Sequence, residues 1–243
     1  TEFMYDEKIR ALFLMGDSPA QSLPELNTLH EGLREKFVVV FHHHKSLTME
    51  FANVVFPITN FGEAEGTITN AERRVRPVRK VIFSEEIRPA WKVLSEIASL
   101  LNKKEQFGFE KAEDVFKEIV STVPPYAGLD WEKIFNSEEN FADKEKYFEK
   151  FISVEPTTSD PDEESFPFLL TTRRSPFHFC SGDETRSAKT LIKMAPRSFV
   201  SINKEDAEKK GILNGDRIRI VSRYGEIEVE AKIDDKILKG ILA

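Results

Sequence analysis

Short apolar runs alternate with polar stretches through the first hundred positions, and each run predicts an element. Lys8 to Met15 (KIRALFLM) closes on Gly16-Asp17-Ser18-Pro19, which reads as a buried strand and a turn. Leu23, Leu26, Leu29 and Leu33 recur at helical spacing over 23–35, with Pro24 near the start, where proline is tolerated. Phe37 to Phe41 (FVVVF) is a second buried strand. Strand, helix, strand in this order predicts a βαβ unit with parallel strands and a right-handed crossover. Val54-Val55-Phe56 is a third strand, stopped by Pro57, which has no N–H for a ladder.

Further along, Val81-Ile82-Phe83 is apolar again, and Arg88-Pro89 opens a helix with Trp91, Leu94, Ile97, Ala98 and Leu101 on one stripe. Ala112 to Val120 is a second amphipathic helix, stopped by Pro124-Pro125-Tyr126-Ala127-Gly128. Residues 130–150 carry Trp131, Ile134, Phe135, Phe141, Tyr147 and Phe148 among charges, the pattern of one or two short helices whose aromatic groups serve packing. Thr157 to Glu164 (TTSDPDEE) is polar, acidic and proline-containing, and reads as a linker. Beyond it the period changes to two. Strands are expected at Phe168–Thr172, Phe199–Ile202, Arg217–Ser222 and Glu226–Ile233, with a helix at Lys204–Lys210 capped by Asn203 and closed by Gly211. The fold class that follows is a Rossmann-like α/β region over 1–104, a helical extension and linker over 105–164, and a β-barrel over 165–243.

One segment concentrates polar chemistry. After Pro57 come Thr59, Asn60, Glu63, Glu65, Thr67, Thr69, Asn70 and Glu72, then five cations in eight positions: Arg73, Arg74, Arg76, Arg79 and Lys80. Ligands in open α/β sheets sit beyond the carboxyl ends of strands, so Ala52–Lys80 is a candidate ligand or subunit contact, weighed against a solvated loop with internal salt bridges. The three histidines His42-His43-His44 end the FVVVF strand. In an extended segment alternate side chains diverge, so only His42 and His44 would converge, and no carboxylate or cysteine lies at close zinc spacing. No metal site is therefore expected there, although the rings could line a pocket.

Composition narrows the class. The 243 residues are 40% hydrophobic, which suffices for a sizeable core. A net charge of −7 argues against general nucleic-acid binding. The single cysteine, Cys180, excludes an internal disulfide framework and an iron–sulfur cluster carried by this chain alone. No apolar run reaches membrane-span length, and TEFMYDEK lacks a signal-peptide pattern, so the expected location is cytoplasmic, with membrane contact only through partner subunits. The missing initial Met and the end at Gly240-Ile241-Leu242-Ala243 suggest a fragment, and a cut near Ala243 would leave a barrel strand unpaired.

The run NVVFPITNFGEAEGTITNAERRVRPVRK resembles the signature of molybdopterin oxidoreductase large subunits, through Glu65-Gly66-Thr67, Asn70, Glu72 and Arg74 and the following Arg88-Pro89-x-Trp91. The pieces LLTTRR, HFCSGDETRS, FVSIN and GILNGDRIRIVSRYGEIEV resemble the C-terminal molybdopterin-dinucleotide-binding barrel, which is double-psi-like. Two branches are similar. The histidine-rich segment after FVVVF looks more like the G subunit of NADH–quinone oxidoreductase (complex I), the branch favoured here. The Arg-Pro-x-Trp helix and PPYAGLDWEKIF look more like a formate dehydrogenase alpha subunit. A third reading is a non-catalytic module docking through Arg73–Lys80.

The resemblance implies a molybdopterin guanine dinucleotide facing Thr172, Arg174, His178, Ser181, Gly182, Thr185 and Arg186, with no catalytic residue and no metal ligand in this chain. Arginine suits a pyrophosphate and hydroxyls suit the polar edges of the cofactor. Two departures point towards loss of that site: Arg173 stands where the family has glycine, and Cys180 where histidine is common. The resemblance also implies partner subunits in a respiratory or formate-oxidising complex. The family's metal-ligand and iron–sulfur domains lie outside this sequence, so the chain would supply only part of a redox enzyme.

Overall fold

The computed structural model describes residues 6–84, 86–136, 140–142, 153 and 165–243. Strands β1 (Ala11–Met15), β2 (Phe37–His42) and β3 (Val54–Pro57) form a parallel sheet in the order β1-β2-β3. The run FVVVF is central because both of its faces are covered. Val38 and Val40 pack with Ala20, Leu29 and Leu33, and the alternate Val39 and Phe41 pack with Ile58 and Val93. Burying each such side chain contributes on the order of 1.5–3 kcal/mol relative to leaving it exposed.

The expected helix over 23–35 starts later, at Leu26, and a separate single turn of helix precedes it where the sequence predicts only a turn. Helix α1 (Pro19–Ser22) ends at Leu23, which is extended (φ −86°, ψ 156°), and α2 (Leu26–Arg34) starts after Glu25 in the left-handed region (φ 56°). Pro24 is the cause, since a proline drives the preceding residue out of the helical region. The strand expected to be buried, β1, lies at the sheet edge instead. Leu12 and Leu14 face the core while Phe13 and Met15 are each 49% exposed.

Helix α3 (Ala90–Leu100) covers the second face of the sheet through Val93, Leu94 and Ile97. Val81-Ile82-Phe83 forms no strand and is exposed. A second small sheet, antiparallel, joins β4 (Gly66–Thr69), β5 (Arg74–Val78) and β6 (Asn140–Phe141). Val75 of β5 is buried against Phe116 of α5 (Ala112–Thr122), which follows the one-turn α4 (Lys104–Phe107), and against Ile134 of α6 (Trp131–Phe135). Trp131 stacks on Phe135 at 4.2 Å, so these aromatic groups serve packing as the sequence suggests. The expected linker Thr157–Glu164 and any helix over 143–150 lie outside the described residues.

The last region is a five-stranded mixed sheet in the order β7-β11-β8-β10-β9: β7 (Leu169–Leu170), β8 (Phe199–Ile202), β9 (Arg217–Ser222), β10 (Gly225–Ile233) and β11 (Ile241–Leu242). Among the described residues its ladder runs open from β7 to β9 and does not close on itself. Helices α7 (Lys189–Met194) and α8 (Lys204–Lys210) precede and follow β8. Asn203 caps α8 by accepting from the Glu205 N–H at 2.9 Å, and Gly211 ends it at φ 67°. Strand β11 lies between β7 and β8, and Ala243 exchanges both backbone bonds with Ser201. β11, at the end of the sequence, is thus paired on both sides, and the edges among the described residues are β7 and β9.

Candidate functional site

The carboxyl end of the parallel sheet is where β2 delivers His42. Gly16, just beyond β1, donates to the Phe41 carbonyl at 2.8 Å, and Ile58, just beyond β3, donates to the His42 carbonyl at 3.2 Å. The strand stops at His42 because the backbone bends at His43 and His44 before the 3-10 turn Leu47–Phe51. Thr48 braces that turn through Ser18 Oγ at 3.0 Å and the Ala20 N–H at 3.2 Å.

The bend overturns the expected divergence of the histidine rings, which presumed an extended chain. His42 and His43 stack at 4.9 Å, His42 and His44 meet edge-on at 4.3 Å, and His43 and His44 lie 5.0 Å apart. One ligand nitrogen from each ring falls within 4.8 Å of the others. The carboxylates missing from the nearby sequence arrive from the loop before α7. Asp183 Oδ2 lies 3.2 Å from His44 Nε2 and 4.0 Å from His42 Nε2, and Glu184 Oε1 lies 3.0 Å from His43 Nε2.

The electrostatics of this corner are tight. The His42 side chain is only 2% exposed, and burial, with His44 and His43 beside it, pushes its pKa below the usual imidazole range. Asp183 and Glu184 pull the other way, more weakly. His42 Nδ1 accepts from the His44 N–H at 3.3 Å, leaving Nε2 to face Asp183. His44 comes close to Asp183 but out of line for a hydrogen bond, so both of its buried ring nitrogens lack a hydrogen-bond partner among the described residues. Buried polar side chains are ordinarily paired, which makes His44 the anomaly of the site.

The same loop holds most of the residues assigned to a cofactor by resemblance, and their geometry divides them. His178 is committed to the fold: Nδ1 meets Thr185 Oγ1 at 3.1 Å and Nε2 meets the Ala195 carbonyl at 2.9 Å. Thr185 also accepts from the Phe179 N–H at 3.3 Å. Gly182 is buried at φ 82°, and a Cβ there would meet Arg186 Nε at 2.9 Å, so the arginine closes over a cradle that only glycine leaves open. Arg186 Nη2 then reaches Ser198 Oγ at 3.4 Å. Gln21 Nε2 of α1 donates to the Ser181 carbonyl at 3.4 Å, which ties the loop to the parallel sheet. Thr172 and Arg174, just past β7, are exposed, and their side chains have no polar partner among the described residues. Arg173 is folded onto its own sheet, with Nη1 3.4 Å from Ser201 Oγ and 3.6 Å from Asp234 Oδ2. Cys180 is exposed, at φ 49°.

The basic segment is a hairpin rather than a loop. Asn70 Oδ1 accepts from the Glu72 N–H at 3.0 Å and the Arg74 N–H at 2.9 Å, which makes the β4–β5 turn. Three of its five cations take aromatic partners within the chain. Arg74 lies over Phe141 at 5.2 Å, Arg79 over Phe135 at 5.1 Å with a bond to the Phe135 carbonyl, and Lys80 over Phe83 at 5.4 Å. The sequence reading missed Asp183 and Glu184. The signal available was their place inside HFCSGDETRS, but nothing in the order of residues aims them at the histidines.

Residues 1–100 match the family model for molybdopterin oxidoreductase, and residues 168–243 match that for the molydopterin dinucleotide binding domain. The chain belongs to the molybdopterin oxidoreductase superfamily. Over 97% of its length it is 30% identical to the F420-dependent formate dehydrogenase 2 subunit alpha of Methanococcus maripaludis, of which it covers 38%. It is 31% identical, over 98%, to the F420-dependent formate dehydrogenase subunit alpha of Methanocaldococcus jannaschii, of which it covers 39%. The assimilatory nitrate reductase catalytic subunit of Bacillus subtilis is 27% identical over 98% of the chain, which covers 37% of that protein. The chain thus spans under two fifths of the length of these relatives. The solved structure of acetylene hydratase from Pelobacter acetylenicus superposes with a TM-score of 0.79 over 99% of this chain and 38% of that one. At 16% identity that likeness speaks for the fold alone. No helix among the described residues is long and apolar enough to cross a membrane.

Proposed function

We propose that the chain is the C-terminal part of a formate dehydrogenase alpha subunit and supplies part of the shell of a molybdopterin dinucleotide. The observation that carries this is the near-complete alignment with the F420-dependent formate dehydrogenase alpha subunits at 30–31% identity. It reverses the preference for the complex I G subunit drawn from the histidine run. That run belongs to a local cluster with Asp183 and Glu184 and is a poor marker of branch. The docking-module reading also weakens, because Arg74, Arg79 and Lys80 already have aromatic partners within the chain.

The available donor set suits the cofactor. Arg174 offers a forked guanidinium for a pyrophosphate, and Thr172 and Ser181 offer hydroxyls. His178 and Thr185 act as positioning residues that hold the loop, and Gly182 with Arg186 shapes its floor. Arg173, drawn onto Asp234 and Ser201, is held by its own sheet, which answers the first of the two departures that pointed to loss of the site. The cofactor, when bound, supplies the metal and the redox chemistry. The finer fold reading is a Rossmann-like sheet over 1–104, a helical extension and linker over 105–164, and a double-psi-like barrel from 165. The implied setting is a soluble multisubunit formate-oxidising complex with F420 or another carrier as electron acceptor.

The test is direct. The native complex should contain stoichiometric molybdenum or tungsten, release fluorescent oxidised pterin on denaturation, and reduce F420 or a dye with formate. A complex with neither metal nor pterin would return the reading to a scaffold.

A further inference from the structure

We propose that His42, His43, His44 and Asp183 form a binding site for a divalent transition-metal cation of the zinc or cobalt class. The site is separate from the pterin reading and stands on different residues, so it holds whether or not formate is the substrate. Three imidazoles offer lone pairs within 4.8 Å of one another, and Asp183 supplies an oxygen 3.2 and 4.0 Å from two of them. Tetrahedral zinc with bonds of about 2.0–2.1 Å places its ligands about 3.3 Å apart. The widest pair therefore needs to close by about 1.5 Å, within the reach of side-chain rotation in the half-buried His43 and His44.

Two further observations point to a ligand. His44 has both ring nitrogens buried and without a hydrogen bond among the described residues, an unfavourable state that a bound cation taking the lone pair relieves. Glu184, 3.0 Å from His43, is placed as the carboxylate that orients such a ring. Histidine and carboxylate donors suit zinc, cobalt or nickel better than magnesium or calcium, which take all-oxygen shells. Because the histidines end β2 and Asp183 sits in the 178–186 loop, a bound cation would fasten that loop to the parallel sheet.

The experiment titrates Co2+ into the full native protein after dialysis against a chelator, following visible absorption. One Co2+ per chain is expected, with the intense bands of a four- or five-coordinate ion, displaced by Zn2+. His44→Ala and Asp183→Ala should each weaken Co2+ binding at least about tenfold. His30→Gln, remote from the cluster and bonded to the Ala20 carbonyl, should not change it. Unchanged affinity and spectrum in Asp183→Ala would overturn the proposal, because the histidines would then bind metal merely as an exposed imidazole run. So would the absence of stoichiometric binding in the wild type. If Asp183→Ala does not fold, X-ray absorption of the zinc-loaded wild type decides: mixed nitrogen and oxygen ligation with three imidazoles supports the site, and an all-oxygen shell overturns it.

Discussion

The basic hairpin, residues 66–80, and the histidine corner, residues 42–44 with 183–184, differ in a way that their sequences conceal. The hairpin carries five cations and looks like a binding surface, yet three of these lie over aromatic rings of the same chain and Val75 is locked into a core with Phe116 and Ile134. The corner looks like an accident of three repeated residues, yet it gathers three imidazoles and two carboxylates, with both ring nitrogens of His44 buried and without a hydrogen bond among the described residues. A high density of charge in sequence often ends in internal pairing. Function is better sought where polar groups are buried and left without partners.

What was legible follows from locality. The period-two and helical patterns gave β2, β3, β8, β9 and α8 close to their observed bounds, because each depends on its own residues and on one adjoining face. The Asn203 cap and the Gly211 terminator belong to the same class. The split of α1 from α2 at Pro24 was present in the sequence, since the residue before a proline is driven to extended geometry. The exposure of β1 and the central place of β11 were not, because both depend on which distant strand pairs alongside. The candidate site divides likewise. Its loop motif was readable from 178 to 186, whereas the meeting of Asp183 with His44 is a tertiary fact with no local trace.

If the hairpin is a structural element and the corner a binding one, substitutions in the two should part company in stability and ligand content. The largest effect is expected for Phe116→Ala, which removes the ring that buries Val75 and packs on Trp131. It should cost about 3–5 kcal/mol in denaturant unfolding. A loss below about 1 kcal/mol would mean that the hairpin is not anchored by this core. Next is Gly182→Ala. A side chain at φ 82° costs on the order of 1–2 kcal/mol, and the new Cβ displaces Arg186. Stability should fall by that amount, and the loop that carries Asp183 should shift, so Co2+ affinity should fall with it. Unchanged affinity at reduced stability would separate the loop from the corner.

Asn70→Ala should be milder. It deletes the acceptor for two backbone N–H groups in the β4–β5 turn, a loss of about 1–2 kcal/mol by calorimetry or denaturant. Co2+ binding and pterin content should not move, since the turn belongs to the hairpin alone. A change in either would show that the hairpin reaches the site after all.

The smallest stability effects, and the sharpest separation, are expected between two exposed arginines. Arg79 lies over Phe135 and bonds its carbonyl, so Arg79→Ala should cost about 0.5–1 kcal/mol and leave cofactor content unchanged. Arg174 touches no polar group among the described residues, so Arg174→Ala should alter stability by less than about 0.5 kcal/mol. If it meets a pyrophosphate, the same change removes a charge-assisted fork, and pterin content of the purified complex should drop several-fold while Arg174→Lys restores part of it. Fluorescence of released oxidised pterin, normalised to protein, reads both variants on one scale. Equal pterin in Arg174→Ala and wild type would remove Arg174 from the cofactor shell. Reduced pterin in Arg79→Ala would make the hairpin part of that shell, and the contrast between the two regions would fail where it is most specific.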